Sequence, residues 1–230
     1  MPAASQPFFQ WTFVTGNWGE IASDLLQHIE LTLIAVAIGL VISVPLALAA
    51  WRYRLVRVPV FGLASALYVI PSLALFVFLG PITGFVASDL TAEIGLVGYT
   101  LLILIWNTVA GLDAVPADAR EAARAMGYSP TAALVRVDLP LALPYIFAGL
   151  RVATATVIGL VTVTFLIGLG GLGRLITSGF TTNFNTPIIV GLVLSIVLAA
   201  VADLLLVGLE RLLIPWSRRV RRGRRARLIG

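Results

Sequence analysis

Few side chains in this sequence can do covalent or acid–base chemistry. It has no Cys, one His (His28) and no Lys, so all 16 basic residues are Arg. Without Lys there is no G-x-x-x-x-G-K-[ST] phosphate loop, no Schiff base and no lysine general base. Without Cys there is no thiolate nucleophile, disulfide framework or cysteine metal site, and a lone His excludes a zinc site built on several. Gly168, Gly170, Gly171 and Gly173 are not a phosphate cradle, since no Lys follows them. An intramembrane enzyme would need a Ser/His pair, a metal cluster or paired acids, and none is assembled, so neither a catalytic nor a metal-binding residue is assigned.

The polar residues that remain concentrate in one stretch, Asp113 to Pro140. Its first part reads as a short helix. Pro116 suits a first helical turn, and Asp118 and Glu121 sit where the helix dipole favours acids. Glu121 and Arg124 are spaced to pair at i, i+3, and Gly127 is a natural stop. Ser129 then caps a second helix with Pro130 at its first position, and Leu139-Pro140 is expected to end it. Ala117, Ala119, Ala122, Ala123 and Ala125 leave a surface of little bulk that another backbone can approach, and Arg120 and Arg124 add charge that could choose a partner. A helix of this kind serves equally as a docking face or as an amphipathic loop helix on an anionic membrane.

The elements that must hold this stretch follow from composition. Of 230 residues, 59% are hydrophobic and 12% charged, against about 45–50% and about 25% in soluble domains. A helix needs about 20 apolar residues to cross a bilayer core. Five segments qualify, at about 31–50, 58–79, 94–112, 144–169 and 187–208. The fold class expected is all-α, a polytopic bundle of about five spans. It divides into an external interfacial segment (1–29), a transmembrane domain (30–210) with the loop 113–143, and a basic tail (211–230). Fourteen Arg fall in alternate connections and the tail, while Arg174 is alone on the opposite side. The positive-inside rule puts the N-terminus outside and the tail in the cytoplasm. Phe8, Phe9, Trp11, Phe13 and Trp18 read as rings at headgroup depth rather than a cleavable leader. The cluster Arg218 to Arg227, next to a span, reads as an anchor on anionic lipid, not a nucleic-acid site.

Some residues within or beside the spans also matter. Arg151 and Asp203 each lie about seven residues from a cytoplasmic end, or about 10 Å deep at 1.5 Å per residue. They are expected to pair or to line a vestibule, the alternative being that Arg151 snorkels to the headgroups. Pro71 should kink span two, either at a gate or as a static bend. Thr154, Thr156, Thr162 and Thr164 share no single face; most should bond back within their helix. His28 is expected to be a solvated interfacial residue. Arg174 either meets an external acidic partner or sits at the headgroups.

The run Glu121-Ala122-Ala123, three residues, Gly127, nine residues, Val137, one residue, Leu139-Pro140 resembles the E-A-A-x3-G-x9-I-x-L-P signature of binding-protein-dependent ABC importer permeases. Val137 for Ile is the one departure. Ile70-Pro71-Ser72-Leu73-Ala74-Leu75, Asn107-Thr108-Val109-Ala110-Gly111-Leu112 and Leu139-Pro140 through Pro144 resemble the osmoprotectant (glycine betaine, choline, carnitine) permeases of that group. The glycine segment Ile167 to Gly173 is similar too, though methionine importer permeases share it.

The resemblance implies a type I importer permease in a bacterial or archaeal cytoplasmic membrane. It implies a second permease subunit, two ATP-binding subunits, an extracytoplasmic substrate-binding protein and membrane lipid as partners. ATP and Mg2+ would be bound by the ATPase, with no cofactor in this chain. It assigns Glu121, Ala122, Ala123, Arg124, Gly127, Leu139 and Pro140 to ATPase coupling. Pro71, Ser72, Asn107, Arg151 and Asp203 go to the translocation path or gate, and Gly170, Gly171, Gly173 and Arg174 to binding-protein docking. Import of methionine or another small polar solute is the nearest alternative. An ion-coupled secondary transporter is a remoter one, favoured by inverted repeats and midplane ionisable residues that are not evident.

Overall fold

The computed structural model describes residues 8–215, so the cluster Arg218 to Arg227 lies outside the described residues. Among them there is no strand; the chain forms ten α-helices with short π and 3-10 pieces. Four helical stretches are long and apolar enough to cross a membrane, and a bent pair makes a fifth crossing if it counts as one span.

A short helix, α1 (Trp11–Gly16), leads into α2 (Trp18–Arg52). Helix α2 runs unbroken through position 30, so no break in the backbone marks the expected boundary between an external segment and the first span. Its 35 residues extend about 52 Å, well beyond the roughly 30 Å of a hydrocarbon core. Sequence periodicity explains its orientation. Ile21, Asp24, His28, Leu31, Thr32, Ala35, Gly39, Ser43, Ala47 and Ala50 are buried, a stripe at three- and four-residue steps. Phe9 and Phe13 pack with Ile21, Leu172, Leu175 and Val190, while Phe8, Trp11 and Trp18 remain exposed.

The second expected span is two helices, α3 (Arg54–Val69) and α4 (Ser72–Thr83), meeting at 106°. The physical cause is Pro71. It biases Ile70 away from the helical region, and both residues are extended, at ψ 127° and 133°. The freed carbonyl of Ile70 accepts a hydrogen bond from the Tyr99 hydroxyl. The sequence led to a kink within one helix; the backbone breaks it instead.

Helix α5 (Asp89–Asp113) starts at Ser88, whose hydroxyl caps the Thr91 amide at 3.2 Å. It is the most enclosed element, with fourteen buried residues, and it packs on α2 and on α8 (Leu139–Thr164). Small residues allow the close approach. A Cβ on Gly39 would lie 1.9 Å from Thr100 Oγ1, and one on Gly149 would lie 2.6 Å from the Asn107 Cβ.

Between α5 and α8 run α6 (Ala117–Ala125) and α7 (Pro130–Ala133). Leu139-Pro140 does not end a helix as expected. A π-helical turn, Leu134–Asp138, carries α7 directly into α8, giving one apolar stretch from Pro130 to Ile167. The cause is Pro140, which has no N–H and whose ring crowds the preceding turn, so the helix widens rather than stops. After α8 the chain makes a 3-10 turn and a glycine bend, with Gly168 at φ 91° and Gly171 at φ 82°. Then α9 (Leu172–Thr182) and α10 (Asn185–Leu213) pack back on α8. Helix α10 buries only Thr186, Pro187, Val190 and Gly191, so most of its apolar surface faces outward.

Candidate functional site

The loop 113–143 is built from two well-defined caps. Helix α6 ends in a left-handed Gly127, φ 79°. The Tyr128 amide donates to Ala123 O at 3.1 Å and the Gly127 amide to Arg124 O at 2.9 Å, the paired bonds of a Schellman motif. Ser129 then caps α7, its hydroxyl accepting from the Ala132 amide at 3.3 Å. The stop and cap expected from the sequence are both present.

The faces of α6 divide the signature residues. Glu121, Ala122, Arg124, Ala125, Met126 and Gly127 are exposed. Ala123 is fully buried, so it seats the helix on its own chain and is not part of the free face. Leu139 packs on the cluster of Leu112, Ala142 and Ile146, and Pro140 is half-buried. Leu139 and Pro140 therefore support the loop from within. The expected Glu121–Arg124 pair does not form among the described residues. Arg120 is the charge that bonds, its Nε donating to Asp138 Oδ1 at 2.7 Å and its Nη2 to Leu112 O at 2.6 Å. Sequence reading saw Arg120 only as a charge for a partner and gave Asp138 no role. Its signal was there: an acid just before Leu139-Pro140, eighteen residues from an Arg. A cleft of about 750 Å³ opens beside α6, with Trp51, Arg52, Arg120, Arg124 and Tyr128 on its walls.

Away from the loop, Arg151 and Asp203 pair bidentately, at 2.5 Å and 2.9 Å, joining α8 to α10. Neither snorkelling nor separate charges lining a vestibule describes them. Both remain more than a third exposed on this chain. Asn107 is half-buried where α5 meets α8, and its amide donates to Ile103 O at 2.8 Å. Pro71 is exposed and Ser72 half-buried at the 106° bend. Thr154, Thr156, Thr162 and Thr164 all donate to carbonyls three or four residues earlier.

On the opposite side, Arg174 is engaged by its own chain. Nε donates to both Asp24 oxygens at 3.0 Å and 2.9 Å, and Nη1 and Nη2 reach Glu20 at 3.1 Å and 3.2 Å. The Asp24 hydrogen bond is the largest cause holding its guanidinium above the usual arginine pKa, against an opposing effect of burial. Arg174 is thus held by two acids of its own chain, a pairing the sequence did not reveal. Gly170 and Gly173 are places of close approach. A Cβ on Gly170 would meet Gln27 Oε1 at 2.0 Å, and one on Gly173 would meet the Thr162 carbonyl oxygen at 2.0 Å.

His28 corrects another expectation. It is fully buried, not solvated. Nδ1 accepts from the Leu172 amide at 3.3 Å, so Nε2 is the protonated nitrogen and donates to Ile158 O at 3.0 Å. One ring ties α2, α8 and the start of α9. Glu93, near the N-terminal end of α5, is a further residue with no place in the sequence analysis: both its carboxylate oxygens are buried with no hydrogen-bond partner among the described residues. No group of three or more His, Cys, Asp or Glu among the described residues is placed to hold a metal.

Long apolar helices around a central α5, interrupted on one side by a capped amphipathic loop helix, define a multi-pass membrane permease. Residues 36–215 match the family described as "Binding-protein-dependent transport system inner membrane component", and the chain belongs to that family. Members are inner-membrane components of transport systems.

Among relatives, the osmoprotectant import permease protein OsmW of Salmonella typhimurium is 35% identical over 206 residues, covering 88% of this chain and 96% of that protein. The choline transport system permease protein OpuBB of Bacillus subtilis is 34% identical, covering 88% and 93%. The glycine betaine/carnitine/choline permease OpuCB of the same organism is 33% identical, covering 89% and 93%. Among solved structures, an inward-facing MetNI methionine ABC transporter chain is similar with a TM-score of 0.72 at 23% identity, covering 91% of this chain and 99% of that one. An amino acid ABC transporter solved with histidines gives 0.71 at 20%, covering 88% and 98%. These two likenesses establish the fold.

Proposed function

We propose that this chain is a transmembrane subunit of an ATP-driven importer that moves a quaternary-amine osmoprotectant such as glycine betaine, choline or carnitine. Identity of 33–35% over nearly the whole length of permeases named for these solutes carries the reading. The methionine transporter is less similar in sequence, at 23%, and its likeness concerns fold.

In this reading two permease subunits enclose the path, two ATP-binding subunits dock below and a substrate-binding protein docks above. ATP and Mg2+ belong to the ATPase, as the absence of Lys, and hence of a phosphate loop, from this chain supports. The N-terminus is outside and the tail cytoplasmic, which places α6 on the ATPase side. The exposed face of α6, with Glu121, Ala122, Arg124 and Gly127, is the contact. Closure of the ATPase pair displaces α6 and switches the path between inward-open and outward-open. The break at Pro71 and Ser72, with the Arg151–Asp203 pair, lies where spans can change relative position. Gly170, Gly171 and Gly173 shape the outer bend against which the binding protein docks.

The test is uptake by the reconstituted complex in liposomes. Labelled glycine betaine or choline should enter in an ATP-dependent way that requires the binding protein. Uptake of methionine with none of the amines would replace the substrate reading, and uptake without the ATPase would replace the mechanism.

A further inference from the structure

Helix α6 is fastened to the rest of the chain by very little. Ala123 is its only buried residue. Among the described residues, Arg120 is the only side chain of α6 that makes a hydrogen bond or an ion pair. That one guanidinium holds three partners. Nε donates to Asp138 Oδ1, Nη2 donates to the Leu112 carbonyl, and the group stands 5.2 Å from the centroid of the Trp51 ring.

Each partner belongs to a different long helix. Trp51 is at the cytoplasmic end of α2 and Leu112 at that of α5. Asp138 is the last residue of the π turn that opens into α8. Asp138 and Leu112 are buried, at 5% and 0% exposure, so both acceptors lie inside the protein and the half-buried guanidinium of Arg120 reaches in to them from the wall of the cleft. A planar fork with five donors can serve two acceptors in different directions while its face meets an indole. An ammonium carries no such plane. Charge-assisted bonds of this kind are short and directional, which makes the linkage stiff.

The position of Asp138 adds to this. A π turn is a local widening often found at functional sites, and Pro140 follows two residues later without an N–H to donate. The entry to α8 is therefore a place where the helix can yield, and Arg120 grips it there.

The geometry points to Arg120 as the positioning residue that turns a displacement of α6 into a joint displacement of α2, α5 and α8. Without the fork, α6 stays attached through its two chain ends and the apolar seat of Ala123, which has no directional bond to stop the helix pivoting. With it, the middle of α6 is fixed to three spans at once. This inference rests on the reading of α6 as the ATPase contact, and the experiment separates the two.

The complete complex is reconstituted with its ATPase and binding protein, using labelled glycine betaine and choline as probes. Three quantities are read: substrate taken up per ATP hydrolysed, ATPase retained through purification, and cross-linking to the ATPase from a single Cys introduced at Ala122, possible because the chain has no Cys. Arg120→Ala and Asp138→Asn should keep the ATPase and the cross-link, yet lower uptake per ATP at least tenfold. Arg120→Lys should fall between them and the unaltered chain. The exchanged pair Arg120→Asp with Asp138→Arg should recover part of the loss.

Uptake per ATP that is unchanged in Arg120→Ala and Asp138→Asn, with the cross-link intact, overturns the inference and leaves the docking reading standing. Loss of ATPase and hydrolysis together, unrelieved by the exchanged pair or by Lys, overturns it in favour of a purely structural role. Absence of the cross-link in the otherwise unaltered chain removes the docking reading and this inference with it.

Discussion

Gly127 offers the sharpest test of the loop because its surroundings separate two causes. Its φ of 79° is in the left-handed region, and a Cβ built on it would meet nothing within 4 Å. A side chain there is opposed by backbone conformation, not by crowding. For an L-residue this conformation costs about 1–2 kcal/mol, less for Asn, which tolerates it, and more for a β-branched residue. The nine residues of α6 make fewer than three turns, and helices this short are marginal in water. The penalty therefore acts on a local equilibrium with little reserve, and about 1–2 kcal/mol is a factor of roughly 5–30 in population. When Gly127 leaves the left-handed region, the Tyr128 and Gly127 amide bonds to Ala123 and Arg124 are lost and the last turn opens. Uptake per ATP in proteoliposomes should follow Gly127 ≈ Gly127→Asn > Gly127→Ala > Gly127→Val, with membrane insertion unchanged in all four. Gly127→Val at full coupling would refute the role of the turn. Gly127→Asn as damaging as Gly127→Val would refute the conformational cause and point to the glycine surface itself.

Further outcomes follow from the contacts described. Gly173→Ala should abolish folded protein where Gly127→Ala does not, because its Cβ would lie 2.0 Å from a main-chain oxygen that cannot swing aside; size-exclusion profiles in detergent read this directly. Arg151→Ala or Asp203→Ala alone should reduce the amount of stably inserted chain, and combining them should restore it, since the bidentate pair leaves each charge dependent on the other. Membrane abundance by immunoblot checks the pair. His28→Ala leaves the Leu172 amide and the Ile158 carbonyl without the ring, at about 1–3 kcal/mol per group left unsatisfied. The purified protein should unfold at lower temperature; an unaltered thermal midpoint would show the ring to be dispensable.

Much of the fold was legible because its signals are local. Long apolar runs located the helices, and Gly127 and Ser129-Pro130 marked real caps. Three expectations differ from the structure, two at prolines, whose effect on a helix depends on how the chain around them is held, and one at a residue that distant helices bury. Pro71 was read as a kink, yet the chain breaks there and Tyr99, 29 residues from Ile70, takes the freed carbonyl. Leu139-Pro140 was read as a stop, yet the π turn carries the helix through it. His28 was placed in solvent from its position near a surface, but packing of α8 and α9 over α2 buries it.

What the sequence determined by itself was the membrane class, the helical content, the family signature and the lack of a lysine phosphate loop, all properties of composition or of residues close in the chain. Only the tertiary structure decided which residues of the signature face outward. Ala123 turns inward, Glu121 and Ala122 outward, and Arg120 reaches Asp138, Leu112 and Trp51 on three separate helices. Arg174 likewise found Asp24 and Glu20 about 150 residues away in the chain. The reason is physical. A charge in or near an apolar layer must find a partner, and which partner lies within reach is set by how long helices pack side by side, at separations in sequence that no local pattern encodes.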